Sequence, residues 1–240
     1  MDQKKLIKKL KKAIEDFNLI EDGDKIAIGI SGGKDSLTLL YLLSIYKKIS
    51  PKKFELVGIS LDPGNGCDFS TVETLCKRLD LEYHIISTDI SNIVFNIKKE
   101  KNPCSLCAKL RRGMLNSSAK DLQCNKIALG HHKNDAIETL LMSMFYEGRI
   151  NCFTPKTYLS RMDVTVIRPM VYIDENEIIS FINDNNIDIV KNPCPADGKT
   201  KRQFIKDLTY KLKDEIPDVQ IYLLNSLTNI SQLNIWHEEK

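Results

Sequence analysis

The sequence predicts an α/β protein: a doubly wound, mainly parallel sheet, preceded by a basic helix and followed by a helical extension. Three observations carry this. Short β-branched runs alternate with helical patterns through residues 25–172, the order that gives parallel strands covered on both faces. The first run, Ile26 to Ile30, stops at Ser31-Gly32-Gly33, and a helical pattern follows at once. That helix carries Leu37, Leu39, Leu40, Leu42, Leu43 and Ile45, apolar nearly all round, and so belongs in a core. The expected division is a basic helix over 1–24, a core domain over 25–172 and a helical region over 173–240.

The elements follow in order. Leu6, Ile7, Leu10, Ile14 and Phe17 recur at helical spacing with lysines on the other face, and Glu21-Asp22-Gly23-Asp24 ends that helix. After the first strand and its helix (36–46), Phe54 to Leu61 reads as a second strand, closed by the turn Asp62-Pro63-Gly64-Asn65-Gly66. A helix over 70–79, a strand over 82–87 and a short helix over 93–99 come next. Pro103 opens a helix over 104–119, Lys126 to Leu129 is a short buried strand, and Asp135 to Tyr146 is a strongly apolar helix. Val164 to Ile167 is the last core strand. Asp174 caps a helix over 175–183. Asn192-Pro193-Cys194-Pro195 is an irregular link, since two prolines forbid a continuous helix. Helices over 201–213 and 217–233 finish the chain.

Composition is that of an ordinary globular protein, with 42% hydrophobic and 28% charged residues. No apolar run approaches the roughly 20 residues of a membrane span, and the charged N-terminus lacks a signal core. A cytoplasmic location without a membrane partner is the expectation. The net charge of +3 is too small to indicate nucleic acid, but its distribution is uneven. Lys4, Lys5, Lys8, Lys9, Lys11 and Lys12 crowd one segment, Lys109, Arg111 and Arg112 another. The lysine helix fits a solvated face and a phosphate-backbone contact equally. Seven cysteines in a chain of this kind point to metal or catalysis rather than to a disulfide scaffold.

The order strand, Ser31-Gly32-Gly33-Lys34-Asp35-Ser36, helix start builds an anion site. Glycines let the backbone approach a phosphate, the helix N-terminus adds partial positive charge, and Lys34 adds a full one. The spacing is not that of the Walker loop. It resembles the pyrophosphate loop (PP-loop) of the ATP-pyrophosphatase superfamily, whose members cut ATP between the α- and β-phosphates and adenylate an oxygen. The second phosphate-side segment is Gly130-His131-His132-Lys133-Asn134-Asp135. Asp135 near a helix start suits Mg²⁺ or a plain N-cap; His131 suits a phosphate contact or loop packing.

Cys104-Ser105-Leu106-Cys107 sets two thiols one turn apart at a helix start, where the dipole favours thiolates. Alone, the pair fits half a zinc site, a redox pair or part of an iron–sulfur site. Cys194, between two prolines, is the third candidate; Cys67, Cys76, Cys124 and Cys152 read as structural.

Four segments occur in order: Ser31 to Ser36, Pro103 to Gly113 with its C-x-x-C-x-x-x-R-R-G block, Gly130 to Thr139, and Val166 to Pro169. Together they resemble the tRNA 2-thiocytidine synthetase family over about residues 20–210. The resemblance implies an adenine nucleotide α-hydrolase-like PP-loop fold, ATP and Mg²⁺ as cofactors, and a 4Fe-4S cluster on Cys104, Cys107 and Cys194. It implies tRNA as partner, with an anticodon-loop cytidine as target, and a sulfur donor that is a cysteine desulfurase or free sulfide. A homodimer is the accompanying expectation. Ser31, Gly32, Gly33, Lys34, Asp35, Ser36, Gly130 and His131 would hold the nucleotide, and Asp35 and Asp135 the Mg²⁺. Asp35, Arg111, Asp135 and Cys194 would be the catalytic set. The family's downstream C-x-x-C is incomplete here, with Lys191 at the first cysteine and Cys194 at the second. Two rivals stay open from the residues: thiolation of a uridine, and a non-enzymatic ATP- or RNA-binding protein with structural zinc.

Overall fold

In a computed structural model, residues 3–64, 66–98, 103–190, 201–229 and 231 are described. The chain divides into two compact units, residues 1–132 with 154–197, and residues 133–153 with 198–240.

The first unit is the sheet. Strands β1 (Lys25–Gly29), β2 (Glu55–Asp62), β3 (Glu82–Ser87), β4 (Lys126–Ala128), β5 (Lys156–Leu159) and β6 (Val164–Ile167) lie in the order β3-β2-β1-β4-β6-β5. All neighbouring pairs are parallel except β5 with β6. This is the doubly wound, mainly parallel sheet the alternating pattern predicts. β5 is the addition: it is only partly buried, pairs on one edge and has no apolar run, so its sequence carries no strand signal.

Helix α1 (Gln3–Asp16), α2 (Lys34–Ile49), α3 (Ser70–Arg78) and α7 (Glu175–Asp184) supply one core, with Leu6, Leu10, Leu39, Leu40, Leu42, Leu43 and Phe181 fully buried. α5 (Pro103–Asp121) contributes Ala119 and Leu115 to a second core, built on Ala27, Val57, Ile59, Ile127 and Val166. Between β3 and α5 the chain makes one short turn, α4 (Ile90–Asn92), and then a π-helical stretch, Ile93–Lys98, where a plain helix is expected. The amino ends of β1 and β4 are pinned by the buried Lys126. Its Nζ lies 2.7 Å from Asp24 Oδ2 and donates to the Leu19 carbonyl.

The basic α1 is thus a core helix as well as a charged one. Lys9 Nζ donates to both oxygens of Glu177, at 2.8 and 2.6 Å, and Lys5 lies 3.2 Å from the same carboxylate. Lys11 and Lys12 pair along the helix with Glu15 and Asp16. Lys8 stands exposed.

The second unit holds α6 (Lys133–Glu147), α8 (Lys201–Glu215) and α9 (Val219–Ser226), packed through Ile137, Leu141 and Ile205 with Met142 and Leu223. α9 is shorter than the 217–233 the apolar pattern suggests; its C-cap is Leu227, and Thr228 and Asn229, poor helix formers, follow. The link Asn192 to Pro195 lies outside the described residues.

Because Leu10 is fully buried, Leu10→Ala is expected to cost about 2–5 kcal/mol of stability, read as a lower denaturation midpoint. A loss under about 0.5 kcal/mol, the level of a surface change, would make α1 peripheral.

Candidate active site

β1 is flanked by β2 and β4, and the chain leaves β1 in one direction along the sheet and returns on the other side at β4. Strand order reverses there, and the loops after β1 and β4 open a crevice at the carboxyl edge, the place where open α/β sheets bind ligands. Ile30 stays bonded to the neighbouring strand: its N–H donates to the Ile59 carbonyl at 2.8 Å, and Ser60 Oγ donates to the Ile30 carbonyl at 2.7 Å. The chain turns only at Ser31.

The loop is ordered by its own serines. Ser31 N–H donates to Ser36 Oγ at 3.2 Å, and Ser36 Oγ donates to the Gly33 carbonyl at 3.0 Å. Gly33 is the N-cap of α2 and offers no side chain to its first turn. The first-turn N–H groups therefore face outward as an anion site. Two glycines make this arrangement fit. Gly32 has φ +80°, and a Cβ there would stand 2.6 Å from Val190 Cβ. Val190 N–H also donates to the Gly32 carbonyl at 2.9 Å, so the chain after α7 lies on the loop. A Cβ on Gly130 would meet the Asp35 backbone at 3.0 Å and Ser36 N at 3.1 Å, so the post-β4 loop packs against the α2 start.

Lys34 Nζ is 3.0 and 3.1 Å from the Asp35 oxygens and 3.1 Å from Glu175 Oε1. Burial by itself would lower the Lys34 pKa; Asp35 and then Glu175 outweigh it and hold the pKa above the usual lysine value. Lys34 is a cation at any physiological pH. His132, buried and bridged in parallel to Met170, places Nε2 3.6 Å from Asp35 Oδ1. His131, the histidine picked from the sequence, is half-buried beside it.

Cys104 and Cys107 sit in the first turn of α5, exposed and half-buried respectively. Cys194, the third expected thiolate, lies outside the described residues. Among the described residues no group of three or more His, Cys, Asp or Glu is placed to hold a metal ion. Arg111, half-buried one turn beyond Cys107, acts on Cys67 in the post-β2 loop: burial and Asp62 push that thiol's pKa up, and Arg111 opposes them.

In the second unit, Asp135 sits in the first turn of α6. Arg202 Nη1 lies 3.3 Å from its Oδ1 and donates to Glu138 Oε2 at 3.0 Å, while Nη2 reaches Thr139 Oγ1 at 3.4 Å. Burial pushes the Glu138 pKa up, with Arg202 opposing. Sequence reasoning missed Glu175, His132 and Glu138. His132 lies inside the segment it quoted; Glu175 looks from sequence like any acid in a helix's first turn.

A doubly wound sheet with an uncapped Ser-Gly-Gly loop at its switch point defines a PP-loop protein, and the model of the PP-loop domain matches residues 2–212. The chain is 40% identical over 232 residues to a tRNA-cytidine(32) 2-sulfurtransferase of Syntrophotalea carbinolica, covering 93% of this chain and 88% of that one. It is 38% identical over 234 residues to the protein of the same name in Geobacter sulfurreducens, covering 95% and 90%. The chain belongs to the tRNA-cytidine(32) 2-sulfurtransferase family. Among solved structures, the U34-tRNA thiolase NcsA of Methanococcus maripaludis with its [4Fe-4S] cluster superposes with a TM-score of 0.78 at 24% identity, covering 96% of this chain and 79% of that one. It shares the fold. So does an NMN synthetase of Francisella tularensis, with a TM-score of 0.54 at 15% identity and full coverage of both chains. Among the described residues no helix is long and apolar enough to cross a membrane.

Gly32→Ala adds strain on the order of 1–3 kcal/mol at a positive φ and a clash with Val190. ATP affinity, measured by titration, is expected to fall at least about tenfold. Unchanged affinity would show that the loop does not bind nucleotide in this conformation.

Proposed function

We propose that this protein is an ATP-dependent tRNA thiolase that converts cytidine 32 of the anticodon loop to 2-thiocytidine. The open α2 N-terminus behind Ser31-Gly32-Gly33, with Lys34 at its first turn, is the observation that carries the reading. The backbone N–H groups of that turn bind the phosphates, and Lys34 offsets the charge on departing pyrophosphate; Asp35 would hold a Mg²⁺ ion, which would supply further positive charge there. The C2 oxygen of the cytidine attacks the α-phosphorus and the α–β bridging bond breaks. That oxygen then leaves C2 as part of AMP, and sulfur at the sulfide level takes its place without net redox change.

The thiols of Cys104 and Cys107 fit an iron–sulfur cluster in two respects: they lie one turn apart, and they stand at a helix start where the dipole stabilises thiolates. Cys194 would complete three ligands. When bound, the cluster supplies an iron with an open position for sulfur. Arg111, on the same helix, would steady the adenylate or the incoming sulfur. For Asp135 to serve Mg²⁺ it must give up Arg202. A loop base has to be splayed out to reach such a site, the usual way single-stranded RNA is read. Lys8, exposed on α1, faces solvent where RNA phosphates would lie, whereas Lys5 and Lys9 are held by Glu177. The sulfur donor is free sulfide, or a cysteine desulfurase whose persulfide sulfur a thiol reductant releases as sulfide, and the location is cytoplasmic, where tRNA is modified.

Nucleosides of tRNA from a strain lacking this gene should lack 2-thiocytidine. Retention of 2-thiocytidine with loss of another thionucleoside would overturn the assignment of the base. Anaerobically purified protein should be brown and contain iron, and Cys104→Ser and Cys107→Ser should each lose it. Colourless protein with stoichiometric zinc in place of iron would instead support a binding protein with structural metal.

A further inference from the structure

Glu175 has no place in the phosphate site as the sequence describes it, yet its carboxylate is the second anchor of Lys34. Its Oε1 lies 3.1 Å from Lys34 Nζ, and its side chain is only 7% exposed. Three features fix it there. It is the first residue of α7, directly after the N-cap Asp174, whose side chain accepts from Asn176 N–H at 3.0 Å. Glu177 closes the capping box by accepting from the Asp174 N–H at 2.9 Å. Glu177 is in turn clamped by Lys9 and Lys5 of α1, so the helix start that carries Glu175 is tied to the core. A carboxylate is costly to bury without a partner, so Glu175 and Lys34 hold each other in register.

An ammonium has three N–H donors and no other way to aim its charge. Asp35 accepts through both oxygens at 3.0 and 3.1 Å and Glu175 through Oε1 at 3.1 Å, so the two carboxylates together fix where the ammonium stands. Asp35 itself is engaged from the post-β4 loop by His132. A free lysine on a four-carbon stem would sample many positions near a phosphate; this one is fixed before the ligand arrives.

We propose that Glu175 is a positioning residue, holding the Lys34 ammonium so that its charge faces the phosphate oxygens that leave as pyrophosphate. The proposal rests on the reading of ATP cleavage given above. Because the Lys34 charge survives loss of Glu175, ATP binding should change little while the chemical step suffers. Small errors of placement at a reacting centre cost about 10²-fold.

The experiment is a double-mutant cycle on tRNA-dependent pyrophosphate release and, separately, on equilibrium binding of ATP. Glu175→Gln is expected to lower kcat about 10–100-fold with KM for ATP changed less than about threefold, and Glu175→Asp to recover part of the loss. In a Lys34→Ala background, Glu175→Gln should lower kcat no further. The double variant should also bind ATP at least about threefold more tightly than Lys34→Ala alone, because Lys34→Ala leaves a buried anion facing the phosphates. A merely structural Glu175 would lower kcat by one factor in both backgrounds and would leave the double variant binding no better; either result overturns the proposal, as does an unchanged kcat in Glu175→Gln. If the wild type bound ATP but released no pyrophosphate with any tRNA, the thiolase reading would fail, and the binding cycle would still decide the Lys34–Glu175 coupling. Melting temperatures of the four proteins identify any variant that fails to fold.

Discussion

The N-terminus of α2 opens at the sheet's carboxyl edge without a side-chain cap, and much of that edge is arranged around it. Gly33 caps the helix without a side chain, so no cap side chain takes the first-turn donors. Gly130 lets the post-β4 loop press against the backbone of Asp35 and Ser36, an approach that a Cβ would crowd. α2 cannot shift to relieve that crowding, because it is buried on nearly every face. Rigidity of this kind suits a site that must stabilise charge on a departing group, since the donors need no reorganisation as the charge develops.

Electrostatics at the site extends back into the core. Lys34 is held by Asp35 and Glu175, Asp35 is approached by His132, and Glu175 stands on a helix start secured through Glu177 by Lys9 and Lys5. The lysines of α1 therefore serve two ends. Lys5 and Lys9 hold the carboxylate that anchors α7, and Lys11 and Lys12 pair along the helix itself. A helix this basic would repel itself if it carried charge alone; its buried leucines and the ion pairs along it let it stand in the core.

Each unit has its own polar anchor. In the sheet unit, Val190 is hydrogen-bonded to Gly32 of the loop. In the helical unit, the Arg202 guanidinium gathers Asp135, Glu138 and Thr139 onto the start of α8. Arg202 thus does locally what a cation does for clustered carboxylates: it offsets the burial that raises the Glu138 pKa.

Much of the fold was legible in the chain. Alternating apolar runs gave the parallel strands, and the all-round apolar character of residues 37–45 gave a buried helix, because periodicity reports burial directly. β5 was invisible, since a half-exposed antiparallel edge strand needs no apolar pattern. The sequence also marked the candidate phosphate loop, the paired thiols of α5 and Asp135, because glycine, cysteine and acid at a helix start are chemistry written locally. What it could not supply is which charges meet. Glu175 lies far along the chain from Lys34, and His132 comes to 3.6 Å from Asp35. Such pairs depend on where a sheet brings its loops and how a helix start is anchored, and distance in space is decided by packing, which no single stretch of sequence encodes.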